Sequence, residues 1–322
     1  MSYVLCVGEA LVDFVAQSGL ADLGASEVFA RAAGGAVANV AVGVARLGGH
    51  ARFAGTVSRD AFGRYLLRTL AHENVGVDDT RIVDALTTLA FVARAHNGER
   101  DFMFVRSPGA DSQLRSDDLD EDSIVHARAL HFGGVLLASE PARSTCLKAA
   151  RLAREHRVMV TFDPNARRTL FDSDAHMGQL LRGGCAVADL VKLSDEDLIA
   201  MGEDPDDAAS LLNEMTRAVI ITRGVHGAQW YSADGRRGSC TAPAIEAVDT
   251  TGAGDAASAA ILWRLLWTHR CALDAEALSD AVAYGCAAGA LACLREGAIP
   301  ALPTARELEA MRPQVGTAPL QN

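Results

Sequence analysis

Lysine is scarce in this chain. Only Lys148 and Lys192 occur among 30 basic residues, and the 322-residue sequence carries a formal net charge of −11. An acidic protein with so few lysines lacks the basic surface that nucleic acid binding requires. No uncharged apolar run reaches the roughly 18 residues of a membrane-spanning helix. The first residues, MSYVLCVGEALVDF, lack the basic region and cleavage site of a signal peptide. We therefore expect a cytoplasmic protein that binds neither membranes nor nucleic acids.

The cysteines show no functional pattern. There are 7 of them, an odd number, with no C-x-x-C pair and no grouping with histidine at metal-ligand spacing. Cys286 and Cys293 share one face of an alanine-rich helical segment, where a free cysteine behaves as a small buried hydrophobe. The sequence therefore predicts neither a disulfide framework nor a structural zinc site.

Short β-branched runs alternate with helical patterns along most of the chain. This order predicts an α/β protein with a mostly parallel central sheet and helices on both faces. The predicted buried strands cover residues 3–8, 129–134, 158–163, 188–194 and 218–222, and predicted helices cover 36–48, 141–156 and 205–215. No linker divides the sequence, so we expect a single domain over residues 1–314 and a loose C-terminal tail at 315–322.

Two segments interrupt this order with hairpin patterns. Residues 91–106 alternate around Asn97-Gly98, and residues 228–241 do so around Asp234-Gly235. Such dipeptides strongly favour tight hairpin turns. We interpret the first hairpin as part of a small β lid formed roughly by residues 10–32 and 86–106. The alternative is an edge extension of the main sheet.

The segment VDTTGAGDAASAAILWRLLW, residues 248–267, places Asp255 behind two glycines at the start of an apolar helix. Three interpretations apply. The glycines formally match a dinucleotide-binding pattern, but the required second strand is missing, because residues near Asp274 look like a helix start. A plain helix start would explain the acid through the helix dipole, but not the two glycines.

The third interpretation is an anion hole that carries its own base. Backbone N–H groups at a glycine-rich helix N-terminus bind a negative group at close range. A phosphoryl group in transfer needs this charge stabilisation, and the attacking hydroxyl needs a carboxylate to accept its proton. The Walker motif is absent, so a kinase of this kind requires another architecture.

The motifs together resemble the ribokinase-like (PfkB) carbohydrate kinases, and within them the fructokinase branch. The two family signatures are similar to residues 33–49, AGGAVANVAVGVARLGG, and to DTTGAGDAA at 249–257. Six further segments are similar and occur in the same order: GEALVDF (8–14), SPGAD (107–111), FDPNAR (162–167), VKLSDEDL (191–198), ITRGVHGA (221–228) and GAIPALPT (297–304). The resemblance covers nearly the whole chain and implies a ribokinase-like fold.

The resemblance also implies residue roles. Asp255 matches the catalytic base, and the backbone amides of Gly252, Ala253 and Gly254 match the anion hole for the γ-phosphate. The positions that match sugar-binding residues are Asp13, Gly34, Gly35 and Asn39. Without the resemblance, these residues would be interpreted as ordinary strand ends, loops and helix polar groups.

Several basic and loop residues have candidate roles near the ligands. Arg167 follows a predicted strand, and its guanidinium can hold a sugar oxygen or a phosphate; position alone favours Arg168 equally, and the family pattern D-P-N-x-R selects Arg167. Arg106 is a second candidate for a substrate carboxylate. Lys192 is predicted to meet either nucleotide phosphate or a structural carboxylate. The residues that match the family's nucleotide-side loop are Thr222, Gly224 and Gly227.

One position departs from the family pattern. Many members carry Asn-x-x-Glu near the magnesium ion, whereas this chain has Ser194 and Asp197. The pair also forms an ordinary capping box for the next helix, so Asp197 is either a metal-site residue or a cap.

The implied function is an ATP-dependent sugar kinase, with fructose as the expected substrate and Mg²⁺ as cofactor. The resemblance further implies a monovalent cation such as K⁺ near the anion hole and a homodimer formed through the β lid. Alternatives are a 2-keto-3-deoxygluconate kinase, a nucleoside kinase, and a sugar-binding relative without catalysis. The intact Gly-Ala-Gly-Asp sequence argues against the last of these.

Overall fold

The computed structural model describes residues 2–17, 19, 21–94, 100–106 and 108–319. Its strands are β1 Val4–Val7, β2 Leu11–Ala16, β3 Phe29–Gly34, β4 Ala51–Ser58, β5 Thr80–Val83, β6 Leu89–Arg94, β7 Arg100–Val105, β8 Ala129–Gly133, β9 Met159–Asp163, β10 Leu190–Ser194, β11 Ala218–Thr222, β12 Ala228–Ser232, β13 Arg237–Cys240 and β14 Thr317–Pro319. Its helices are α1 Ala36–Arg46, α2 Ala61–His72, α3 Glu121–Val125, α4 Ala142–Glu155, α5 Asp174–Cys185, α6 Asp195–Met201, α7 Ala253–Trp267, α8 Ala275–Ala292 and α9 Ala305–Met311.

The main sheet runs in the order β14-β13-β12-β11-β10-β9-β8-β1-β4-β5. The strands from β11 to β5 are parallel, and β12, β13 and β14 continue the sheet as antiparallel strands. The five strands predicted from apolar runs all lie in this parallel part. Their continuous hydrophobicity follows from burial on both faces of the sheet.

A hydrophobic core lies on each face of the main sheet. On one face, β1 and β4 pack with α1, α7 and α8 around residues such as Phe53 and Ile261. On the other face, β8 and β9 pack with α4, α5 and α6 around residues such as Phe132 and Phe162. The predicted fold class, helices on both faces of a mostly parallel sheet, is confirmed.

A separate four-stranded sheet has the order β3-β2-β6-β7. The hairpin strands β6 and β7 are antiparallel, and β6 pairs with β2 rather than with the main sheet, which excludes the edge-extension alternative. Phe14 on β2 stacks on Phe91 of β6, with ring centroids 5.1 Å apart, and meets Phe62 of α2 edge-on. The Asn97-Gly98 turn lies outside the described residues.

Two predictions about local structure are wrong. Residues 205–215 do not form an α-helix but contain a short 3-10 turn at Ala208–Leu211. The Asn213 side chain accepts hydrogen bonds from the backbone N–H groups of Met215 and Thr216, which replaces helical bonding. The tail is not loose from residue 315, because β14 pairs with β13 and Val315 is buried.

Among the described residues, no helix is both long and apolar enough to cross a bilayer.

Helices α1 and α7 approach each other closely, and glycine permits this contact. A Cβ atom placed on Gly43 of α1 would lie 2.5 Å from the Ala259 Cβ of α7, closer than real Cβ atoms come. One turn nearer the helix N-termini, Asn39 of α1 donates a hydrogen bond to Asp255 of α7. The close packing therefore sets the distance between two predicted site residues.

We predict that Gly43→Ala destabilises the protein by about 1–3 kcal/mol, because the added methyl group forces α1 and α7 apart. Urea or thermal unfolding measures this change. Gly183→Ala is the matched control: it changes an exposed glycine of α5, and no atom of the described residues lies within 4 Å of the added Cβ. The control should gain about 0.5–1 kcal/mol from helix propensity. Equal effects of the two substitutions would contradict the packing explanation.

Candidate active site

A cavity of about 900 Å³ opens at the carboxyl ends of the parallel strands. Residues that follow β1, β9, β10 and β11 line it, among them Glu9, Asn165, Asp195 and Gly224. In open α/β sheets ligands bind in this position, because the strands diverge there and the following loops surround a crevice. The second sheet contributes Asp13 and apolar side chains of β2, β6 and β7 to the opposite wall.

The N-terminus of α7 forms part of the cavity wall. Gly252 precedes the helix with a φ of 77°, and no side chain of the described residues caps the helix. A Cβ on Gly252 would be strained at this φ and would lie 2.9 Å from the Ala298 Cα. The Ala253 N–H donates to the Thr250 carbonyl oxygen at 3.3 Å. Gly254 and Asp255 also line the cavity, so the positive end of the helix dipole faces this space.

Asp255 lies in the first turn of α7 and accepts a hydrogen bond from Asn39, with Nδ2 2.7 Å from Oδ2. Burial raises the pKa of the carboxyl group to about 6, and the Asn39 hydrogen bond and the nearby Lys192 limit this rise. A carboxylate with a pKa near 6 is ionised at neutral pH and remains able to accept a proton. The geometry therefore suits a general base.

Asp13 lies on β2 and faces Asp255 across the cavity. Burial and the like charge of Asp255 raise the pKa of Asp13 to about 7, and Arg167 opposes the rise. Gly34 on β3 makes room for this side chain, since a Cβ there would lie 2.0 Å from the Asp13 Oδ2. Gly35 has a φ of 105°, and its Cβ would lie 2.4 Å from the Glu9 carbonyl oxygen. Both glycines are thus required by close approach.

The structure separates the two adjacent arginines. Arg167 is exposed at the cavity, and its charge lowers the pKa values of Asp13 and Asp255. Arg168 forms an exposed ion pair with Asp174 instead. The choice of Arg167 over Arg168, made from the family pattern, agrees with this placement.

Arg106 is not brought into the large cavity. Its guanidinium is buried against Asp111, with Nε 2.9 Å from Oδ2. It borders a smaller cavity of about 370 Å³. The prediction that Arg106 binds substrate is therefore not supported by this arrangement, because Asp111 already neutralises its charge.

The nucleotide-side residues predicted from the sequence lie together at the far end of the cavity: Thr222, Gly224 and Gly227. Gly227 has a φ of 86°, and a Cβ there would lie 2.0 Å from the Cys240 carbonyl oxygen. An apolar crevice continues from them, and the sequence analysis did not identify it. Its lining includes Val225, Pro243, Ile245, Ala290 and Ala298. Such a crevice suits the flat face of a nucleotide base.

Both carboxylate oxygens of Asp197 accept hydrogen bonds from protein donors. Its Oδ2 accepts from the backbone N–H and the hydroxyl of Ser194 at 2.9 and 2.8 Å, and its Oδ1 accepts from the Ala166 N–H at 2.7 Å. Ser194 caps α6 in a complete capping box. The capping interpretation thus describes this structure, and the same carboxylate also holds the loop that carries Arg167.

Sequence reasoning missed two buried acids. Glu9 accepts from the Val37 N–H at 3.4 Å, its Oε2 has no partner among the described residues, and burial raises its pKa to about 7. Asp163 accepts from the Lys192 Nζ at 3.0 Å, so Lys192 meets a structural carboxylate. The available signal was position, because each acid directly follows or ends a predicted buried strand.

The chain matches known carbohydrate kinases over most of its length. The family profile described as pfkB family carbohydrate kinase matches residues 1–305. A probable chloroplastic fructokinase-6 of Arabidopsis thaliana is 40% identical over 308 residues, covering 94% of this chain and 80% of the relative.

Solved structures agree with this match. A fructokinase of Xylella fastidiosa with bound ATP is 31% identical, with a TM-score of 0.87 and coverage of 96% and 97% of the two chains. A fructokinase double mutant of Vibrio cholerae O395, in fructose, ADP and potassium ion bound form, is 30% identical, with a TM-score of 0.83 and coverage of 97% and 98%. The fold is ribokinase-like, and the chain belongs to the pfkB family of carbohydrate kinases, enzymes that transfer a phosphoryl group to an alcohol.

Proposed function

We propose that this kinase is a fructokinase that converts fructose and ATP to fructose 6-phosphate and ADP. The observation that carries the proposal is the position of Asp255, a carboxylate with a raised pKa at the uncapped N-terminus of α7 and opposite Asp13. The resemblance to proteins named fructokinase supports the choice of sugar.

The proposed mechanism follows from the two walls of the cavity. Asp13, Asn39 and the Gly35 backbone hold sugar hydroxyl groups, and Asp255 accepts the proton of the primary hydroxyl as its oxygen attacks the γ-phosphorus. The bond between this phosphorus and the bridging oxygen then breaks, and the electron pair leaves with ADP. Amides at the start of α7 stabilise the charge on the transferring group. Each part lies on the cavity wall.

Magnesium would be held mainly by the nucleotide. In the described part of the chain no cluster of three or more His, Cys, Asp and Glu side chains could hold a metal ion. Both oxygens of Asp197 already accept hydrogen bonds from protein donors, so we propose that it contacts Mg²⁺ through water; Mg²⁺ keeps several waters in such sites. The Mg²⁺ ion would neutralise negative charge on the nucleotide phosphates.

A monovalent cation near the anion hole is also part of the proposal. Asp249 is a buried carboxylate just before Gly252 and accepts hydrogen bonds from the N–H groups of Thr251 and Gly297. This negative charge suits a nearby K⁺. The potassium-bound relative from Vibrio cholerae supports the idea.

We further propose that the second sheet is the lid of one kinase domain and pairs with the lid of a second copy in the cytoplasm. Phe102 and Phe104 of β7 line the cavity, whereas Met103 and Val105 are 47% and 49% exposed on the other face of the strand. A lid in this position would exclude water from the phosphoryl group.

We predict that fructose gives the highest kcat/KM in a coupled ADP-release assay. The panel contains fructose, ribose, 2-keto-3-deoxygluconate, glucose and adenosine. A preference for 2-keto-3-deoxygluconate would replace the proposed substrate, and Arg167 would then pair with its carboxylate.

We predict that Asp255→Asn lowers kcat by about 10²- to 10⁴-fold, because the amide cannot accept the proton. The melting temperature should stay constant or rise: the folded pKa lies above the unfolded value, so ionised Asp255 destabilises the fold at neutral pH. In the wild type, kcat/KM should decline as the pH falls through about 6, the pKa of Asp255 in the protein without ligands.

Asp274→Asn is the control for the Asp255 substitution. Asp274 is exposed and caps α8 by accepting from the Ala277 N–H, and it lies outside the cavity lining. This variant should keep full activity. If the Asp255→Asn variant keeps near wild-type turnover, Asp255 serves only as a partner of the helix dipole, and the proposed mechanism is refuted.

We predict that Arg167→Lys raises the KM for sugar or ATP about tenfold, which corresponds to one charged hydrogen bond. Lysine keeps the charge but loses the planar fork that binds two oxygens. Arg168→Lys is the matched control, because its partner is the exposed Asp174, and it should leave both KM values unchanged. Identical kinetics of the two variants would show that Arg167 is an ordinary surface charge that does not bind sugar or ATP.

A further inference from the structure

A buried ion pair lies directly behind the start of α7. The Lys192 Nζ of β10 lies 3.0 Å from the Asp163 Oδ2 of β9, and the same oxygen accepts from the Ser258 hydroxyl of α7 at 2.9 Å. Lys192, Asp163 and Ser258 are only 7%, 5% and 3% exposed. The three side chains therefore connect two neighbouring parallel strands to the helix.

The connection reaches the helix at the predicted reaction centre. Ser258 follows Asp255 by one helical turn, so the two share a face of α7. A Cβ placed on Gly254 would lie 3.2 Å from the Lys192 Nζ. Glycine at this position thus lets an ammonium group stand against the first turn of the helix, beside the amides of the anion hole.

A contribution to stability does not by itself explain why the Asp163–Lys192 pair is present. A buried ion pair pays a large desolvation cost, and well-packed apolar residues often replace it without loss of stability. Burial lowers the pKa of Lys192, but Asp163 and Asp197 more than offset this, so the group stays charged. The neighbouring carboxylates therefore keep Lys192 positively charged, and its ammonium group is already paired with Asp163.

Charged and polar groups face Asp255 from every side of the cavity. They are Asp13 on β2, Asn39 on α1, Asp163 on β9, Arg167 after β9 and Lys192 on β10. Asp163 and Lys192 act on Asp255 in opposite directions, because one is negative and the other positive. Their pairing keeps the two effects balanced.

We propose that the Asp163–Lys192 pair, tied to α7 through Ser258, is a positioning element that fixes the orientation and local charge of the first turn of α7 for phosphoryl transfer. In this role Lys192 is not a direct ligand of ATP, and neither Asp163 nor Ser258 touches substrate. The proposal rests on the proposed kinase function, since it concerns the base and the anion hole of that reaction.

The test compares wild type, Asp163→Asn and the double variant Asp163→Asn/Lys192→Met by pH profiles of kcat. Asp163→Asn removes a negative charge, so the apparent acid-side pKa should fall by about half a unit or more. The double variant also removes the positive charge, so this pKa should rise again by a similar amount. Because it holds no unpaired buried charge, the double variant is expected to fold.

Steady-state constants distinguish positioning from ATP binding. In the double variant kcat should drop about tenfold or more, while the KM for ATP stays within about threefold of wild type. Lys148→Met is the matched control: it removes the other lysine, which is exposed on α4, and should change nothing. Melting temperatures show that each variant is folded.

Three results would overturn the proposal. One is an unchanged apparent pKa in both Asp163 variants, and another is a shift of the same sign on each successive substitution. The third is a KM for ATP raised tenfold or more in the double variant with kcat retained, which would make Lys192 an ATP ligand. A wild-type protein without ATP-dependent sugar phosphorylation would instead refute the proposed function, before any variant is compared.

Discussion

The close contact between α1 and α7 is the constraint on which the site depends. Both helices begin at the carboxyl edge of the main sheet, and small residues such as Gly43 and Ala259 let their backbones approach. The contact places Asn39 at hydrogen-bond distance from Asp255. Two signatures separated by about two hundred residues of sequence thus meet at one carboxylate, and the hydrogen bond holds its Oδ2 in a fixed direction.

The same packing places acids where water is scarce. Asp13, Asp255 and Glu9 all have pKa values raised to between about 6 and about 7, and burial is the largest cause for each. Keeping these groups ionised costs folding free energy, which a protein selected only for stability would avoid. Acids with raised pKa values clustered on one cavity are typical of catalytic sites.

Much of the architecture was predictable because local patterns determine it. The buried parallel strands are apolar runs, the hairpins carry turn dipeptides, and Asp274 caps α8 as expected. The placement of Gly252, Gly254 and Asp255 on one cavity was predictable because these residues are close in sequence. Pairs between distant strands have no local signature, so the sequence predicted a carboxylate as one possible partner of Lys192 but did not identify Asp163. The pairing of Arg106 with Asp111 was not predicted either. The prediction of a helix over residues 205–215 was wrong. At the end of this segment the Asn213 side chain accepts hydrogen bonds from the backbone, in competition with helical hydrogen bonds.

Both sheets contribute residues to the lining of the cavity. Asp13, Phe102 and Phe104 belong to the small sheet, whereas Asp163, Lys192 and the loop after β11 belong to the main sheet. Asp255 lines the same cavity, where Asp163 and Lys192 of the main sheet act on its pKa and its own charge raises the pKa of Asp13 on the small sheet. A change at Asp13 would therefore also affect Asp255 through their electrostatic interaction, so the two walls of the cavity are not independent. The position of Asp255 is thus the point at which charged groups of the two sheets interact.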